Sequence, residues 1–381
     1  MAVTVKDILS HELFKDAEIV AGKKGLDNRV GRINFTDCPF PEDIKTSGLI
    51  KKGDLFINSF YIVKEDEEKL LDFIKAYIEC GSSGSLIITE YFDKLPQSVL
   101  DLSDSNDFPV IFIDHDVPYA EIIKTTMETI LADQSETILE MKIDKILEPN
   151  PDKKLVSLTA YEINRNFKTY YVSFYIKDNN ISVLKKQMFI SNLKTLTNVE
   201  CVKYKNGFLV FYNFEKLNSL ELFIMQISSL IKKYMSSYHM GISNIFNETE
   251  EFNSCIKQSL TAFEISDVLD SKIVQYKDID LYKILFPLRN NPVLKDFYTD
   301  IINPLTKAET SNDKNELLNT IEAFLTCDGD FKKTAALLNQ HENTVRYRIS
   351  KAKRLLNLEN ENVKFIESVS IALKIRNILK L

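Results

Sequence analysis

Basic side chains are concentrated in one short stretch near the C-terminus of this 381-residue chain. Residues 331–356 contain seven lysines and arginines and one acid, Glu342, although the whole chain has a formal net charge of −7. Lysine and arginine neutralise phosphates, and arginine also hydrogen-bonds guanine edges. A basic stretch on an otherwise acidic chain therefore indicates DNA recognition by this part of the molecule.

Two short amphipathic helices are predicted to position these side chains. The spacing of apolar residues predicts helices over 331–338 and 343–356, joined by a tight polar turn. Small and apolar side chains are expected between the two helices: Ala335, Ala336, Leu338, Val345 and Ile349. This arrangement is typical of a helix-turn-helix, in which the second helix reads bases with its first residues.

The start of the second helix carries the side chains of greatest interest. Asn343 or Thr344 is expected to cap this helix through its side-chain oxygen. Tyr347 is expected to pack beneath the helix in preference to touching a DNA backbone. The alternative interpretation of the whole stretch is an ordinary pair of amphipathic helices with a solvated basic face.

The same stretch resembles a known family of regulators. The run 341–349, H-E-N-T-V-R-Y-R-I, resembles the signature H-x-N-T-(apolar)-x-Y-R-(apolar) of the purine catabolism regulator (PucR/CdaR-like) family. The helix-turn-helix is also similar to that of the factor for inversion stimulation, and 365–373 is similar to the closing helix of the family. The resemblance implies DNA contacts from His341, Asn343, Thr344, Arg346, Arg348, Lys351 and Lys353.

Two positions depart from the family pattern. Glu342 stands where the family commonly has arginine, and an acid at this position is expected to repel phosphate. Gln340 stands where an apolar residue is usual, which is expected to weaken the packing of the turn. Neither departure removes the Asn343-Thr344 or the Tyr347-Arg348 pair.

The resemblance extends over most of the chain. Residues 3–36 and 53–59 resemble parts of the PucR-type N-terminal sensor domain. Residues 241–243, 258–262 and 274–279 resemble the family's middle, GGDEF-like domain. The resemblance implies a sensor domain, a relay domain and a Fis-like helix-turn-helix.

The N-terminal third alternates between strand-like and helix-like segments. Short apolar runs predict strands at 33–35, 54–58, 85–89 and 109–113. Helical spacing covers 64–80, where Gly81 is expected to end the helix with a positive φ, and a short helix is expected to start at Pro96. This alternation predicts βαβ units and a largely parallel sheet.

Polar residues follow these strands, where open α/β sheets bind ligands. The residues predicted to form an effector pocket are Asp37, Asn58, Ser59, Thr89, Glu90, Asp114 and His115. Each of them is alternatively a turn or cap residue. Asp114-His115-Asp116 has the composition of an acid–base cluster, although such a trio at a strand end is more often involved in loop capping.

The predicted fold is multidomain, with an α/β sensor, an α+β middle domain and an all-α C-terminal domain. The predicted boundaries are 1–117 for the sensor, 118–150 for one long connecting helix, 151–290 for the GGDEF-like domain and 291–381 for the helical DNA-binding domain. The apolar stripe of the long helix is either a dimer seam or a surface packed on its own domain, since Gln134 and Asp144 interrupt any strict heptad.

No enzymatic function is expected. The sequence has no P-loop, no G-x-S-x-G and no H-E-x-x-H. The hairpin 204–209, Y-K-N-G-F-L, is predicted to have an Asn-Gly turn. It lacks the acid with which GGDEF cyclases bind a metal, so neither a catalytic residue nor a metal or cofactor is predicted. The five cysteines are scattered without zinc spacing, and the chain has no apolar run long enough for a membrane span, so a cytoplasmic protein is expected.

The sequence therefore predicts a DNA-binding transcription regulator that responds to a small metabolite and binds DNA as a homodimer or higher homo-oligomer. The family resemblance implies a purine derivative as the effector, while other family members are associated with amino acids or sugar acids. The alternative is a metabolite-binding signalling protein without sequence-specific DNA binding, in which the C-terminal helices only dimerise.

Overall fold

The computed structural model describes residues 3–36, 48–307 and 316–380. The chain divides into two compact units, Met1–Lys142 and Ile143–Leu381. The first unit contains strands β1 (Glu18–Ala21), β2 (Arg32–Phe35), β3 (Asp54–Asn58), β4 (Gly84–Ile88) and β5 (Val110–Ile113). Its helices are α1 (Val5–Leu9), α2 (Glu67–Glu79) and α3 (Gln97–Ser105), followed by the greater part of α4 (Tyr119–Leu147).

The sheet of the first unit has the order β1-β5-β4-β3-β2. Strands β2 to β5 are parallel, as predicted, and the edge strand β1 joins β5 in antiparallel orientation. Both faces are covered, because Phe56 belongs to one buried cluster with α2 and α3, whereas Leu55 and Ile57 belong to another with α1 and α4. Burial on both faces explains why the strands are continuous apolar runs.

The ends of α2 follow from local chemistry. The side chain of Asp66 accepts a hydrogen bond from the Lys69 N–H at 3.0 Å and so caps the first turn. Gly81 has a φ of 74°, which confirms the predicted left-handed residue after the helix. Both ends of α2 are therefore determined by local sequence and do not depend on tertiary contacts.

The second unit begins with a mixed α/β region. Its strands are β6 (Tyr170–Asp178), β7 (Val199–Tyr204), β8 (Gly207–Phe214), β9 (Tyr238–Ile242) and β10 (Ile273–Gln275). The helices of this region are α5 (Lys153–Ile163), α6 (Val183–Lys194), α7 (Ser219–Tyr234), α8 (Phe252–Ser266) and the short α9 (Tyr282–Leu285). The strand order is β10-β9-β6-β8-β7, and all pairs are antiparallel except β10 with β9.

The β7–β8 hairpin turns one residue earlier than the sequence suggested. Tyr204 pairs with Gly207, so the two turn residues are Lys205 and Asn206, with φ values of 45° and 63°. Two central residues with positive φ are typical of a type I′ turn. The predicted Asn-Gly turn is therefore corrected to Lys-Asn, and Gly207 becomes the first residue of β8.

The chain ends in helices α10 (Pro292–Lys307), α11 (Glu316–Thr326), α12 (Phe331–Leu338), α13 (Glu342–Leu355) and α14 (Asn362–Leu379). Helix α14 contributes to two cores of the second unit. Phe365 and Val369 pack with α10 to α13, whereas Ile375 and Ile378 pack with residues of α8, α9 and α10. The boundary predicted at residue 290 stays a prediction. Helix α14 packs against elements that lie both before and after that residue in the chain.

Candidate nucleic-acid interface

The turn between α12 and α13 is held by backbone hydrogen bonds. The Asp330 side chain caps α12 by accepting from the Lys332 N–H at 2.8 Å and the Lys333 N–H at 3.1 Å. These backbone donors lower the pKa of Asp330, because they stabilise its ionised form. At the other end, Asn339 adopts a φ of 51° and the Gln340 N–H reaches the Ala335 carbonyl at 2.9 Å, which closes the helix in a Schellman-type turn.

The cap of α13 is not the one predicted. His341 occupies the N-cap position, and its Nδ1 accepts a hydrogen bond from the Asn343 N–H at 3.2 Å. Asn343 and Thr344 lie inside the helix, and both side chains are exposed. A neutral imidazole with an unprotonated Nδ1 can act as an acceptor in the same way as the usual cap oxygen. The prediction of an Asn343 or Thr344 cap was wrong, and the two side chains are left at the surface.

The core between the two helices is close to expectation. Val345, Ile349 and Ala352 form the buried side of α13, and Ala335 is buried on α12. Ala336, which was expected in this contact, is exposed. Burial of positions 345, 349 and 352 fixes the rotation of α13 about its axis and hence which side chains face outward.

The outward face of α13 carries Asn343, Tyr347, Ser350 and Arg354, which are all exposed. Their spacing of three and four residues places them in one row on the helix. Tyr347 is 67% exposed, so the expectation that it packs beneath the helix was wrong. Ser350 and Arg354 were not among the predicted DNA contacts, although the helical phase of the apolar residues contained the signal.

Arg348 points away from this row. Its side chain is only 17% exposed, and its guanidinium forms an ion pair with Glu316 of α11. It also donates to Gln340 Oε1 at 2.7 Å and to Thr320 Oγ1 at 3.3 Å. Gln340, expected to weaken the turn, instead connects the turn to α13 through this arginine. The DNA contact predicted for Arg348 stays a prediction, and these protein partners compete with it.

Arg346 lies beside the outward row and is partly engaged by its own domain. Its Nε and terminal nitrogen donate to Glu342 Oε1 at 2.9 and 2.6 Å. The guanidinium carbon also lies 4.3 Å from the centre of the Phe331 ring, in cation–π contact. With 53% of its side chain exposed, Arg346 remains accessible to a ligand. Glu342 therefore orients Arg346 as well as adding negative charge at the start of the helix.

The two predicted lysines of α13 are similarly buried, and Lys353 also contacts α14. Lys351 and Lys353 are both half-buried. The Lys353 ammonium contacts the Asn362 side chain and lies 5.6 Å from the centre of the Phe365 ring. Lys353 therefore connects α13 to the beginning of α14. His341, at the N-cap, is exposed on the flank of the turn.

The predicted effector residues follow the strands of the first unit, but several bond to the protein itself. Asn58 is 3% exposed; its Oδ1 accepts from the Thr36 N–H at 3.2 Å and its Nδ2 donates to the Tyr77 hydroxyl at 3.3 Å. The Thr89 hydroxyl donates to the Ile113 carbonyl at 3.2 Å. Asp37 lies outside the described residues. Asn58 and Thr89 thus stabilise the loops at this edge of the sheet.

The remaining predicted residues of this edge are more accessible. Glu90 is exposed and accepts a hydrogen bond from the Tyr91 hydroxyl at 2.9 Å, which raises the pKa of Tyr91. Ser59 is half-buried and hydrogen-bonds Tyr119, whose pKa is raised by burial. The rings of Tyr61 and Tyr91 lie 4.9 Å apart. The accessible surface around Ser59 and Glu90 therefore combines tyrosine rings with the Glu90 carboxylate.

The Asp114-His115-Asp116 trio is exposed and partly occupied with loop capping. Asp114 Oδ1 accepts the Asp116 N–H at 2.8 Å, as the capping interpretation predicts. His115 Nδ1 lies 3.4 Å from Asp114 and its Nε2 lies 3.5 Å from Asp116. The ligand atoms of all three residues lie within 4.8 Å of one another, which resembles a metal site in spacing. All three side chains are more than half exposed to solvent, so the cluster has little of the burial that a tight metal site needs.

An ion pair between a buried carboxylate and a partly exposed arginine, which sequence reasoning did not predict, lies at the start of β3. Asp54 is fully buried and accepts from Arg32 Nε at 2.5 Å, the Lys51 N–H at 2.8 Å and Asn34 Nδ2 at 2.9 Å. Burial alone raises the pKa of Asp54, but these donors outweigh it and the pKa is lowered. Asp54, in the stretch 53–59 that resembles the family, therefore has a structural role in joining β2, β3 and the loop before β3.

Family models match both ends of the chain. The purine catabolism regulatory protein-like family matches residues 7–130, and the PucR C-terminal helix-turn-helix domain matches residues 317–375. The N-terminal and C-terminal domain models of the PucR family thus both match this chain. The second match covers the α12–turn–α13 arrangement described above. Neither match includes the middle region, so the GGDEF-like assignment there is not confirmed.

Individual relatives are more distant. A stretch of 130 residues is 26% identical to the purine catabolism regulatory protein of Bacillus subtilis, covering 34% of this chain and 24% of that protein. A stretch of 106 residues is 34% identical to the cell division protein DivIB of Clostridium tetani, covering 27% of this chain and 40% of that protein. The chain thus matches less than half the length of either relative.

One solved structure is also similar. The crystal structure of a regulator of polyketide synthase expression from Bifidobacterium adolescentis matches with a TM-score of 0.33 and 15% identity, over 63% of this chain and 97% of that chain. Within the described residues, no helix is both long and apolar enough to cross a membrane.

Proposed function

We propose that this chain is a transcription regulator that binds double-stranded DNA through α12 and α13, as a homodimer in the cytoplasm, under the control of a small metabolite. The observation that carries the proposal is the exposed row on α13 within a domain that matches the PucR helix-turn-helix. Such a row provides an amide, a phenol, a hydroxyl and a guanidinium to the same groove.

The roles of the individual side chains follow from their exposure. Asn343 and Tyr347 lie nearest the start of α13, where recognition helices read base edges, and Arg354 at its far end suits a phosphate. His341, Thr344, Arg346 and Lys351 flank this row and are proposed to contact the DNA backbone. Because the Arg348 guanidinium has three protein partners, we assign the base contact expected of it to Tyr347.

The effector is proposed to bind at the carboxyl edge of the parallel sheet in the first unit. Ser59, Glu90, Asp114 and His115 are the accessible polar residues there. A purine derivative is favoured over amino acids or sugar acids, and support comes from the purine catabolism regulatory protein of Bacillus subtilis that this chain resembles. The effector must bind one arrangement of the dimer more tightly than the other in order to change DNA binding.

A catalytic role is not part of the proposal. A GGDEF cyclase uses acidic residues on its hairpin, whereas the β7–β8 turn consists of Lys205 and Asn206 between Tyr204 and Gly207. Incubation with GTP and Mg²⁺ is expected to leave the nucleotide unchanged on ion-exchange chromatography. Formation of a cyclic dinucleotide would show that the middle region is an enzyme.

Fluorescence anisotropy tests the DNA-binding proposal. The full-length protein is titrated into labelled DNA from its own upstream region and into scrambled DNA of the same length, at fixed salt. We expect preferential binding that Tyr347→Ala and Asn343→Ala each weaken by about 10- to 100-fold, corresponding to about 1–3 kcal/mol per base contact. Arg354→Ala is expected to weaken both DNAs and to reduce the salt dependence.

Lys15→Ala is a suitable control, because it removes an exposed lysine from the first unit. Equal affinity of the wild-type protein for both DNAs, with and without candidate metabolites, would favour a metabolite-binding signalling protein instead. Specific binding that neither Tyr347→Ala nor Asn343→Ala alters would keep the regulator but remove these residues from its interface.

A further inference from the structure

Helix α4 has an exposed segment near its middle, within the first unit. Residues 131–142 contain no buried side chain, and the structure describes every one of them. Before this segment, Ile122 and Ile130 are buried in the core of the first unit; after it, Ile143 and Ile146 are fully buried in the second. The helix therefore has buried side chains before and after an exposed stretch of about three turns.

The exposed segment is not polar on every side, although apolar side chains are normally absent from an uncovered helix face. Leu131 is 53% exposed, Ile138 54% and Met141 67%, and Met127 is half-buried one turn earlier. With Gln134, these positions follow the spacing 127, 131, 134, 138 and 141, which alternates steps of four and three. This is the spacing of the contact positions in a coiled coil. We call these five positions the α4 seam.

The seam is separate from the surfaces by which α4 packs in its own chain. None of the five positions is among the buried residues of the helix. If the seam packed against a core of its own chain, at least one of these five side chains would be buried. A seam of alternating three and four spacing fits another helix with the same repeat, and a second copy of this chain supplies one by symmetry.

We propose that α4 pairs with α4 of a second copy in a parallel, in-register two-stranded coiled coil along the α4 seam. The proposal rests on the homodimer proposed above and identifies its interface. If the heptad is numbered with Leu131 at position a, Ile138 also takes position a. Met127, Gln134 and Met141 then take position d. The flanking positions suit this pairing, because Thr137 would face Lys142 of the second copy and no like charges meet.

Gln134 has a specific role in this arrangement. At a position d of a parallel pair, it meets its own symmetry mate, and the two amides hydrogen-bond each other across the two-fold axis. A shifted or antiparallel alignment would place each amide against an apolar side chain instead. One buried polar pair of this kind fixes register and orientation at some cost in stability. The residue that interrupts the apolar stripe therefore sets the alignment of the two copies.

Sedimentation velocity of the full-length protein across micromolar concentrations tests the seam. Ile138→Asp places two carboxylates in the contact and is expected to raise the dimer dissociation constant by at least about 100-fold. Ala132→Asp is the matched control, since it adds the same side chain to the same helix at an exposed position outside the seam. We expect it to change the dissociation constant by less than about 3-fold.

Disulfide trapping tests the register independently. On mild oxidation, Gln134→Cys is expected to form a covalent dimer rapidly, whereas Ala132→Cys, with the same five native cysteines, is expected to do so no faster than wild type. A monomeric wild-type protein, equal effects of the two aspartates, or equal trapping of the two cysteines would overturn the proposal. A monomer that still prefers its own upstream DNA would overturn the seam alone and leave the regulator function standing.

Discussion

Arg348→Ala distinguishes a structural arginine from a DNA-contacting one. The substitution removes hydrogen bonds to Gln340 and Thr320 and an ion pair with Glu316, in a side chain that is 17% exposed. A hydrogen bond from a charged group contributes about 1.5–3 kcal/mol. Because Glu316 is half exposed, its ion pair adds at most about 1 kcal/mol. We therefore expect the free energy of unfolding to fall by about 2–4 kcal/mol.

Urea titration of the full-length protein measures this loss. The chain has no tryptophan, so far-UV circular dichroism is the suitable signal. Arg346→Ala is the matched control on the same helix, since its side chain is 53% exposed and its ion pair with Glu342 spans only four residues. Such pairs contribute about 0.5 kcal/mol. DNA affinity is measured in parallel without urea, where both variants are folded.

One outcome would refute this reasoning about Arg348. If Arg348→Ala unfolds at the same urea concentration as wild type yet binds the upstream DNA about 10-fold more weakly, the guanidinium contacts DNA and its protein partners are incidental. Lower stability with normal DNA affinity in the folded state would confirm the structural role.

Three further changes test other parts of the molecule. Asp54→Asn removes a carboxylate whose folded-state pKa is lowered, so its stabilising effect exists above the unfolded pKa of about 3.9 and is lost as the pH falls through the folded value. Urea midpoints between pH 3 and 7 should therefore fall less steeply on the acid side in the variant; parallel curves would contradict this. Gly241→Ala should reduce stability by about 3 kcal/mol, because its Cβ would lie 2.1 Å from the Ser259 carbonyl oxygen. Gly31→Ala, whose nearest neighbour would be 3.8 Å away, should cost under about 1 kcal/mol, and equal urea midpoints for the two would argue against close packing of β9 on α8. Asp330→Ala should lower stability by about 1 kcal/mol through loss of the α12 cap, and an unchanged thermal midpoint would exclude that cap.

The elements of this fold could be predicted where local signals decide the structure. The strands of the first unit are short apolar runs because helices cover both faces of the sheet, and α12 begins and ends at the predicted residues 331 and 338. The turn at Lys205-Asn206 could not be placed, because its position depends on the pairing of Tyr204 with Gly207 across the hairpin. A one-residue shift of that pairing leaves the local sequence equally plausible.

The candidate DNA interface was only partly predictable. The exposure of Tyr347 follows from the phase of Val345, Ile349 and Ala352, so the sequence already contained that information. The environment of Arg348 did not, because its partners Thr320 and Glu316 lie 28 and 32 residues earlier in the chain. The local sequence around an arginine does not distinguish an exposed helix position from a position in a polar network.

Helix α14 has a consequence for exchanging DNA-binding heads between related regulators. The matched helix-turn-helix domain ends at residue 375, inside a helix whose last turns contribute the buried Ile375 and Ile378 to a core with α8 and α9. A graft cut at the family boundary would bring foreign side chains into that core or leave it open to water. In such chimeras the grafted DNA-binding domain should pack correctly only if the last turns of α14 are those of the recipient protein. The segment that can be exchanged therefore ends before the last residue of the segment that the family model matches.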